Sequence, residues 1–492
     1  MKADTIHLVD DELVRPEKGP VLKRRFGFFS ILGFSCTVLA TWEGILSTFT
    51  LPLNNGGHAG AVYGFLLAWA GTLSTMATLS ELVSMYPTSG GQYHWVSILA
   101  PRWCHKFLSF MTGTLVILGW LGGFASGAYL AGSQILGFVT ITHPDFHPQP
   151  YQIMLIYWAY VALATGVNIG GRRLLPRFES LVLILHILGF FIVLIPLAVL
   201  GDKVDANQVF TSFHNGGGWP SMGLSFLVGL LGNTFSFTGC DAAIHMTEEI
   251  KHATTVVPYS LMTSVVLNGL LGFGILLVSL FHVQDVNTVL NSATGYPYLQ
   301  IFLDATGSVW ASLAMACVIP ISGVATSSGN LASASRMLWS FARDGGVPAY
   351  ITRLDSRSIP LISILAISVS AILLSFIGLG SAAVLNAIVS LTVSALFASY
   401  LLATSLFLVR RLHGNLEYGP FFLPGVWGIL NNTVSVIYLT VSLFFSLWPG
   451  TVHPDAQSMN WTIVPTGGTI LLSVAYYLYA GRQRHSGPTV YI

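Results

Sequence analysis

The chain has 492 residues, of which 53% are hydrophobic and 8% charged, with a net charge of +1 and a mean hydropathy of +0.70. A soluble domain carries about 25% charged residues, so a chain this long and this apolar could not cover its surface in water, and a polytopic membrane protein is the expected class. The near-zero net charge excludes a global basic field for nucleic acid, and Cys36, Cys104, Cys240 and Cys317 form neither a disulfide framework nor a CxxC metal spacing, so no metal site is expected.

Residues 1–25 are polar, end in Lys23, Arg24 and Arg25, and read as a cytoplasmic tail. The apolar run that follows is longer than the roughly 7–15 residues of a signal-peptide core, so it is expected to remain as a first span. A helical span needs about 20 mainly apolar residues. Twelve such runs follow, at 28–50, 61–83, 111–137, 153–169, 178–200, 221–247, 257–282, 306–330, 361–379, 382–409, 426–448 and 462–480. An all-α core over 26–480 and a short C-terminal tail, 481–492, complete the expected organisation. With the N-terminus inside, every Lys and Arg except Lys203 falls on the inner side. That bias supports an even number of spans and two cytoplasmic termini. Asn460-Trp461-Thr462 is a glycosylation sequon in the last outer loop, close to the start of a span.

No Lys or Arg lies mid-span, but two acids do: Glu43 in the first span and Asp241 in the sixth. An acid near a helix centre costs about 2.5–3.5 kcal/mol on insertion scales, so it normally faces a cavity or a partner. Both acids have a glycine close by, Gly44 and Gly239, and both lie in the first helix of a five-span unit, about 28–200 and 221–409. Helices interrupted at matching places in two halves point to a transporter's midplane site. Glu81, Glu248 and Glu249 lie toward span ends and read as gate or interface residues. His186 and His245 are each either a proton relay or a packing histidine, and His245 stands with Glu81, Glu248 and Glu249 among the gate or interface residues. Trp42, Trp120, Phe235 and Phe237 are candidates to wall a site or stack on a cation. The stretch ISGVATSSGN (321–330) suits close helix packing or a path lining.

Three segments carry a family resemblance: ELVSMYPTSGGQYHWV (81–96), FSFTGCDAAIHMTEEI (235–250) and SRMLWSFARDGGVP (335–348). With them the chain resembles fungal permeases of the amino acid/choline transporter family, within the amino acid–polyamine–organocation superfamily, from about residue 26 to 480. The resemblance implies a LeuT-like fold, with spans 1–5 and 6–10 as inverted repeats and two helices appended at about 426–480. It implies substrate contacts from Thr41, Trp42, Glu43 and Gly44 at the break of span 1. At the break of span 6 it implies contacts from Phe235 or Phe237, Thr238, Gly239 and Asp241. It links Asp241 to proton coupling, with Glu43 and His186 as further candidates. One departure is informative. Many members of the superfamily have a glycine-rich break in span 1, where this chain has Trp42 and Glu43. An ionised Glu43 would repel a substrate carboxylate, which favours γ-aminobutyrate, choline or a polyamine over ordinary α-amino acids.

The expected function is therefore a secondary active permease for amino acids or related amines, taken up with protons by alternating access. No GxxxxGK[ST] motif is present to bind ATP, no cofactor is expected, and no catalytic set such as HExxH suggests an enzyme. A non-transporting nutrient sensor and a carrier of a polyamine or another nitrogenous metabolite are the competing readings. The expected partners are the amine or amino acid, protons and the lipid bilayer. The plasma membrane is the expected location, with vacuolar and endosomal membranes as alternatives.

Overall fold

The computed structural model describes residues 26–170, 174–376, 383–414, 416–456, 458–485 and 487. The N-terminal tail with its bases, Arg172, Arg173, the turn at 379–382 and the end of the C-terminal tail lie outside the described residues. The helices in chain order are α1 (Phe28–Leu39), α2 (Thr41–Ser47), α3 (Thr50–Asn54), α4 (Gly57–Met85), α5 (Gln92–Leu99), α6 (His105–Thr142) and α7 (Pro150–Gly170). There follow α8 (Leu174–Val199), α9 (Ala206–Thr211), α10 (Met222–Phe235), α11 (Ala242–His245), α12 (Ala253–Phe281), α13 (Val286–Leu290) and α14 (Pro297–Thr306). Then come α15 (Val309–Ala316), α16 (Val318–Arg343), α17 (Leu361–Ser375), α18 (Ala383–Leu412), α19 (Gly425–Ser446) and α20 (Ile463–Tyr476), which runs on through a π-helical turn at Tyr477–Gly481 into α21 (Arg482–Arg484). Among the described residues there is no strand, only one bridge between Phe26 and Ile250.

Ten helical stretches among the described residues are long and apolar enough to cross a membrane. Two shorter apolar helices, α10 and α17, stand where the sixth and ninth spans are expected. The polarity of the packing is that of a protein in oil. On α8, Leu181, Ile184, Leu188, Phe191 and Ile195 are exposed, while Val182, His186, Phe190, Val193 and Leu197 are buried. Both faces are apolar, the pattern of a helix that packs on protein on one side and on lipid on the other. The polar His186 stays on the protein side.

Some boundaries differ from the sequence expectation. The eighth span does not end at 330, because α16 continues to Arg343. Its last turns carry Arg336, which is buried and donates from Nε to Glu249 at 3.0 Å. A charge that looked like the end of a span is accommodated by a partner from another helix. The long connection expected at 283–305 is not bare either. It holds α13 and α14, the first capped by Asp285, which accepts from the Asn287 and Thr288 N–H groups.

The loops gather at two ends. At one, the Phe26 N–H donates to the Glu249 carbonyl at 3.1 Å, Arg410 donates to the Leu99 carbonyl at 2.7 Å, and Trp339 donates to the Thr352 carbonyl at 3.0 Å. At the other, the His214 N–H donates to the Gly56 carbonyl at 3.2 Å and Asn55 donates to the Gly450 carbonyl at 2.8 Å. Asn460 lies at this second end and is 2% exposed. Its amide donates to Ser390 Oγ and to the carbonyls of Ser446 and Trp448 at 2.9–3.1 Å, so the sequon asparagine is engaged in packing rather than presented to solvent.

Candidate functional site

The first span is interrupted at Ala40, whose φ of 42° places it in the left-handed region. That conformation costs an L-residue roughly 1–2 kcal/mol, so the surrounding structure must hold it. Side chains from two other helices take up backbone groups on either side of the break. The Thr41 N–H donates to Asn268 Oδ1 on α12 at 3.2 Å, and Thr326 Oγ1 on α16 donates to the Thr37 carbonyl at 2.8 Å. The break thus lies one residue before the TWEG segment, which forms the start of α2 rather than the break itself.

The expected sixth span unwinds over 236–241, between α10 and α11. Here Gly239 has φ +87°, a conformation that favours glycine. The two interruptions sit side by side: a Cβ on Gly44 would lie 3.3 Å from Ser236 Cα. A cavity lies next to them, bounded by both breaks and by α6, α16 and α18.

Of the ten residues expected to meet substrate, Glu43, Gly44, Trp120, Phe235, Thr238 and Gly239 line this cavity. Thr41, Trp42, Phe237 and Asp241 stand behind the wall. Trp42 donates from Nε1 to the His186 carbonyl at 3.2 Å, and Phe237 packs on Phe65 with ring centroids 5.1 Å apart. Glu43 is 4% exposed, and its Oε1 is 2.7 Å from His186 Nδ1. Its Oε2 and His186 Nε2 are buried without a hydrogen-bond partner among the described residues. The same holds for the indole N–H of Trp120.

Asp241 is fully buried in a polar cluster of its own. Tyr400 on α18 donates to its Oδ1 at 2.5 Å, Gln92 on α5 donates to its Oδ2 at 2.8 Å, and His245 Nε2 lies 3.4 Å from the same oxygen. His245 also meets the edge of Trp120, at 5.5 Å between ring centroids, so this cluster backs onto the cavity wall.

The acids further along are tied to α16. Arg343 makes two hydrogen bonds to Glu248, at 2.9 and 3.0 Å, and Glu249 pairs with Arg336. Ser89, in the loop before α5, donates to Glu248 at 2.7 Å. Glu81 is bound elsewhere, to Arg411 on α18 and to the Leu423 N–H.

The stretch ISGVATSSGN, read as a packing surface or a path lining, does reach the cavity through Gly323, Thr326 and Asn330, whereas sequence reasoning missed what α6 and α18 add beyond Trp120: Ser126 and Gln134, and Thr392 with Leu396. Gln134 was a visible signal, an amide inside an apolar run. It donates to Ser47 Oγ at 2.8 Å, and Ser47 itself lines the cavity.

The model of the amino acid permease family matches residues 26–470, through both breaks and the cavity. The chain belongs to the amino acid permease family. The permease is 28% identical to a choline transporter of Saccharomyces cerevisiae over 94% of its own length and 82% of that protein's. It is 29% identical to a putative amino acid/polyamine transporter of Macrophomina phaseolina, over 88% of its length and 96% of the relative's. It is also 29% identical to the amino-acid permease BAT1 of Arabidopsis thaliana, over 95% of its length and 93% of the relative's. A transporter for amino acids or amines is the function that family and relatives support.

Proposed function

We propose that this permease is a secondary active transporter of a small amine whose cationic nitrogen docks beside Glu43, and that proton movement drives it. The observation that carries the reading is the charge of the cavity. Among the described residues that line the cavity, Glu43 is the only Asp, Glu, Lys or Arg. A buried carboxylate oxygen without a partner is costly, and an ammonium group would satisfy it. Asn330, Gln134 and the Trp120 indole supply amide and N–H groups for a carboxylate or hydroxyl elsewhere on the substrate. The names of the relatives, a choline transporter and an amino acid/polyamine transporter, fall in the same chemical class.

On this reading the fold is LeuT-like: twelve spans, with α1–α8 and α10–α18 as inverted repeats. The matched interruptions at Ala40 and at 236–241 support it. The end that holds Phe26 faces the cytoplasm, because Arg336, Arg343, Arg410 and Arg411 lie toward it. The Glu248–Arg343 and Glu249–Arg336 pairs are then the inner gate, and they part when the site turns inward. Glu43 and His186, 2.7 Å apart, are placed to share one proton. Asp241, with Tyr400, Gln92 and His245, is a second group whose protonation would alter the wall behind the substrate. Thr41 and Trp42 position α2, and Phe237 holds the second break.

Radiolabelled uptake in a permease-deficient fungal host tests the proposal, with γ-aminobutyrate, choline and a mixed amino-acid pool compared at acidic and neutral external pH. Uptake of an amine, faster at acidic pH, is expected. A substrate that binds at the cell surface but is not taken up would favour the sensor instead.

A further inference from the structure

Among the described residues six glycines line the cavity: Gly44, Gly119, Gly123, Gly127, Gly239 and Gly323. Three of them are required by their surroundings. A Cβ on Gly44 would press on the Ser236 backbone at 3.3 Å, one on Gly119 would overlap Leu396 at 2.6 Å, and Gly239 has a positive φ. The other three are not required in this way. A Cβ on Gly123 would meet Thr392 at 3.6 Å and Asn330 at 3.8 Å, which is ordinary contact. One on Gly127 would meet only the Ser327 hydroxyl, at 3.1 Å, and one on Gly323 would meet nothing within 4 Å.

These three residues lie inside α6 and α16, where glycine is about 1 kcal/mol less favourable than alanine in a soluble helix. Helix packing does not account for them. They share the cavity with Glu43, whose buried Oε2 has no partner among the described residues. Both features point to an occupant of that space.

We propose that Gly123, Gly127 and Gly323 are the size-determining residues of the substrate site. They hold the gap between α6 and α16 open for the carbon portion of the amine. This rests on the amine-transport reading above and adds where bulk is read. Side chains added at Gly123 and Gly323 fill the gap without a close contact, and one at Gly127 requires only the Ser327 hydroxyl to give by a few tenths of an ångström, so they exclude larger substrates and spare smaller ones. A methylene's difference in fit at an apolar wall is worth about ten- to two-hundredfold in discrimination.

The test is uptake by Gly123→Ala, Gly127→Ala and Gly323→Val across two graded series. One runs from ethanolamine through its N-methyl derivatives to choline, and the other is ω-amino acids of increasing chain length. Gly166→Ala is the control, since its Cβ would meet nothing within 4 Å and it does not line the cavity. The expected result, in the series that the wild type carries, is at least a tenfold fall in the ratio of largest to smallest substrate for Gly323→Val, with surface expression retained. The two alanine variants should shift the ratio in the same direction and the control should not. An unchanged ratio, or equal loss of all substrates with expression retained, overturns the size assignment alone. No uptake of either series by the wild type overturns both this proposal and the amine-transport reading.

Discussion

Replacing Glu43 by Gln is expected to cut uptake of a cationic amine by about thirtyfold or more while leaving the protein in the membrane at its normal level. The side chain keeps its shape and its place in α2 and loses its charge. Removing one member of a buried, hydrogen-bonded charge pair costs about 2–5 kcal/mol, and each 1.4 kcal/mol is about a factor of ten. On the proposed reading Glu43 meets the substrate nitrogen as well as His186, whose Nδ1 lies 2.7 Å from its Oε1. The amide introduced by Glu43→Gln can still hydrogen-bond to His186 but cannot offset an ammonium charge. Uptake as a function of substrate concentration, with surface expression measured in parallel, checks the prediction. A Glu43→Gln variant with unchanged uptake would place the cation elsewhere. His186→Gln separates the two partners: loss of the acid stimulation with retained uptake at acidic pH is the expected result.

The largest effect on stability is expected at Glu81. Its carboxylate is fully buried and pairs with Arg411, whose side chain is 3% exposed. Arg411 in turn donates to Asn432 and Tyr418 and lies over the Phe407 and Tyr418 rings, at 4.9 and 5.2 Å. Glu81 also accepts from the Leu423 N–H at 2.7 Å, so it ties α4 and α18 to the segment before α19. Glu81→Ala leaves a guanidinium buried without its counter-charge. Breaking one side of a buried pair costs about 3–5 kcal/mol, whereas replacing both members by apolar residues is often neutral. Glu81→Ala should therefore lower the unfolding midpoint in detergent sharply, and Glu81→Leu combined with Arg411→Leu should recover most of the loss. The Glu248–Arg343 pair is more exposed, at 18% and 28%. Breaking it should lower the midpoint less than breaking the Glu81–Arg411 pair and alter transport rate as well. Equal midpoints for Glu81→Ala and the wild type would contradict this account.

Much of the fold was legible because oil imposes one strong rule. Long apolar runs marked the helices, and the placement of Lys and Arg supplied the orientation now proposed. Glu43 was legible for the same reason: an acid in an apolar helix needs a cause, and the cavity beside it supplies one. The location of the break was less legible. TWEG drew attention through its acid and its glycine, yet the chain breaks at Ala40, a residue with no special propensity. What holds that break is Asn268 and Thr326, which lie 227 and 289 positions from the groups they bond. Such partners are set by tertiary packing and leave no local trace. The same applies to Asp241, whose ligands Gln92 and Tyr400 lie 149 and 159 positions away. Sequence reading placed Asp241 in the substrate site, and the structure seals it behind Trp120 and His245. The cavity glycines were visible as letters, but only the space around each one separates those that pack from those that leave room.

On the proposed reading an amine crosses the membrane through the Glu43 cavity at the expense of a proton gradient. Purified protein in sealed liposomes, acidic outside, tests it most directly through accumulation of a radiolabelled amine above its external concentration. The expected result is accumulation that collapses when a protonophore dissipates the gradient and that is absent in Glu43→Gln. Equilibration without accumulation, or accumulation that the protonophore and the Glu43→Gln substitution leave untouched, would contradict it.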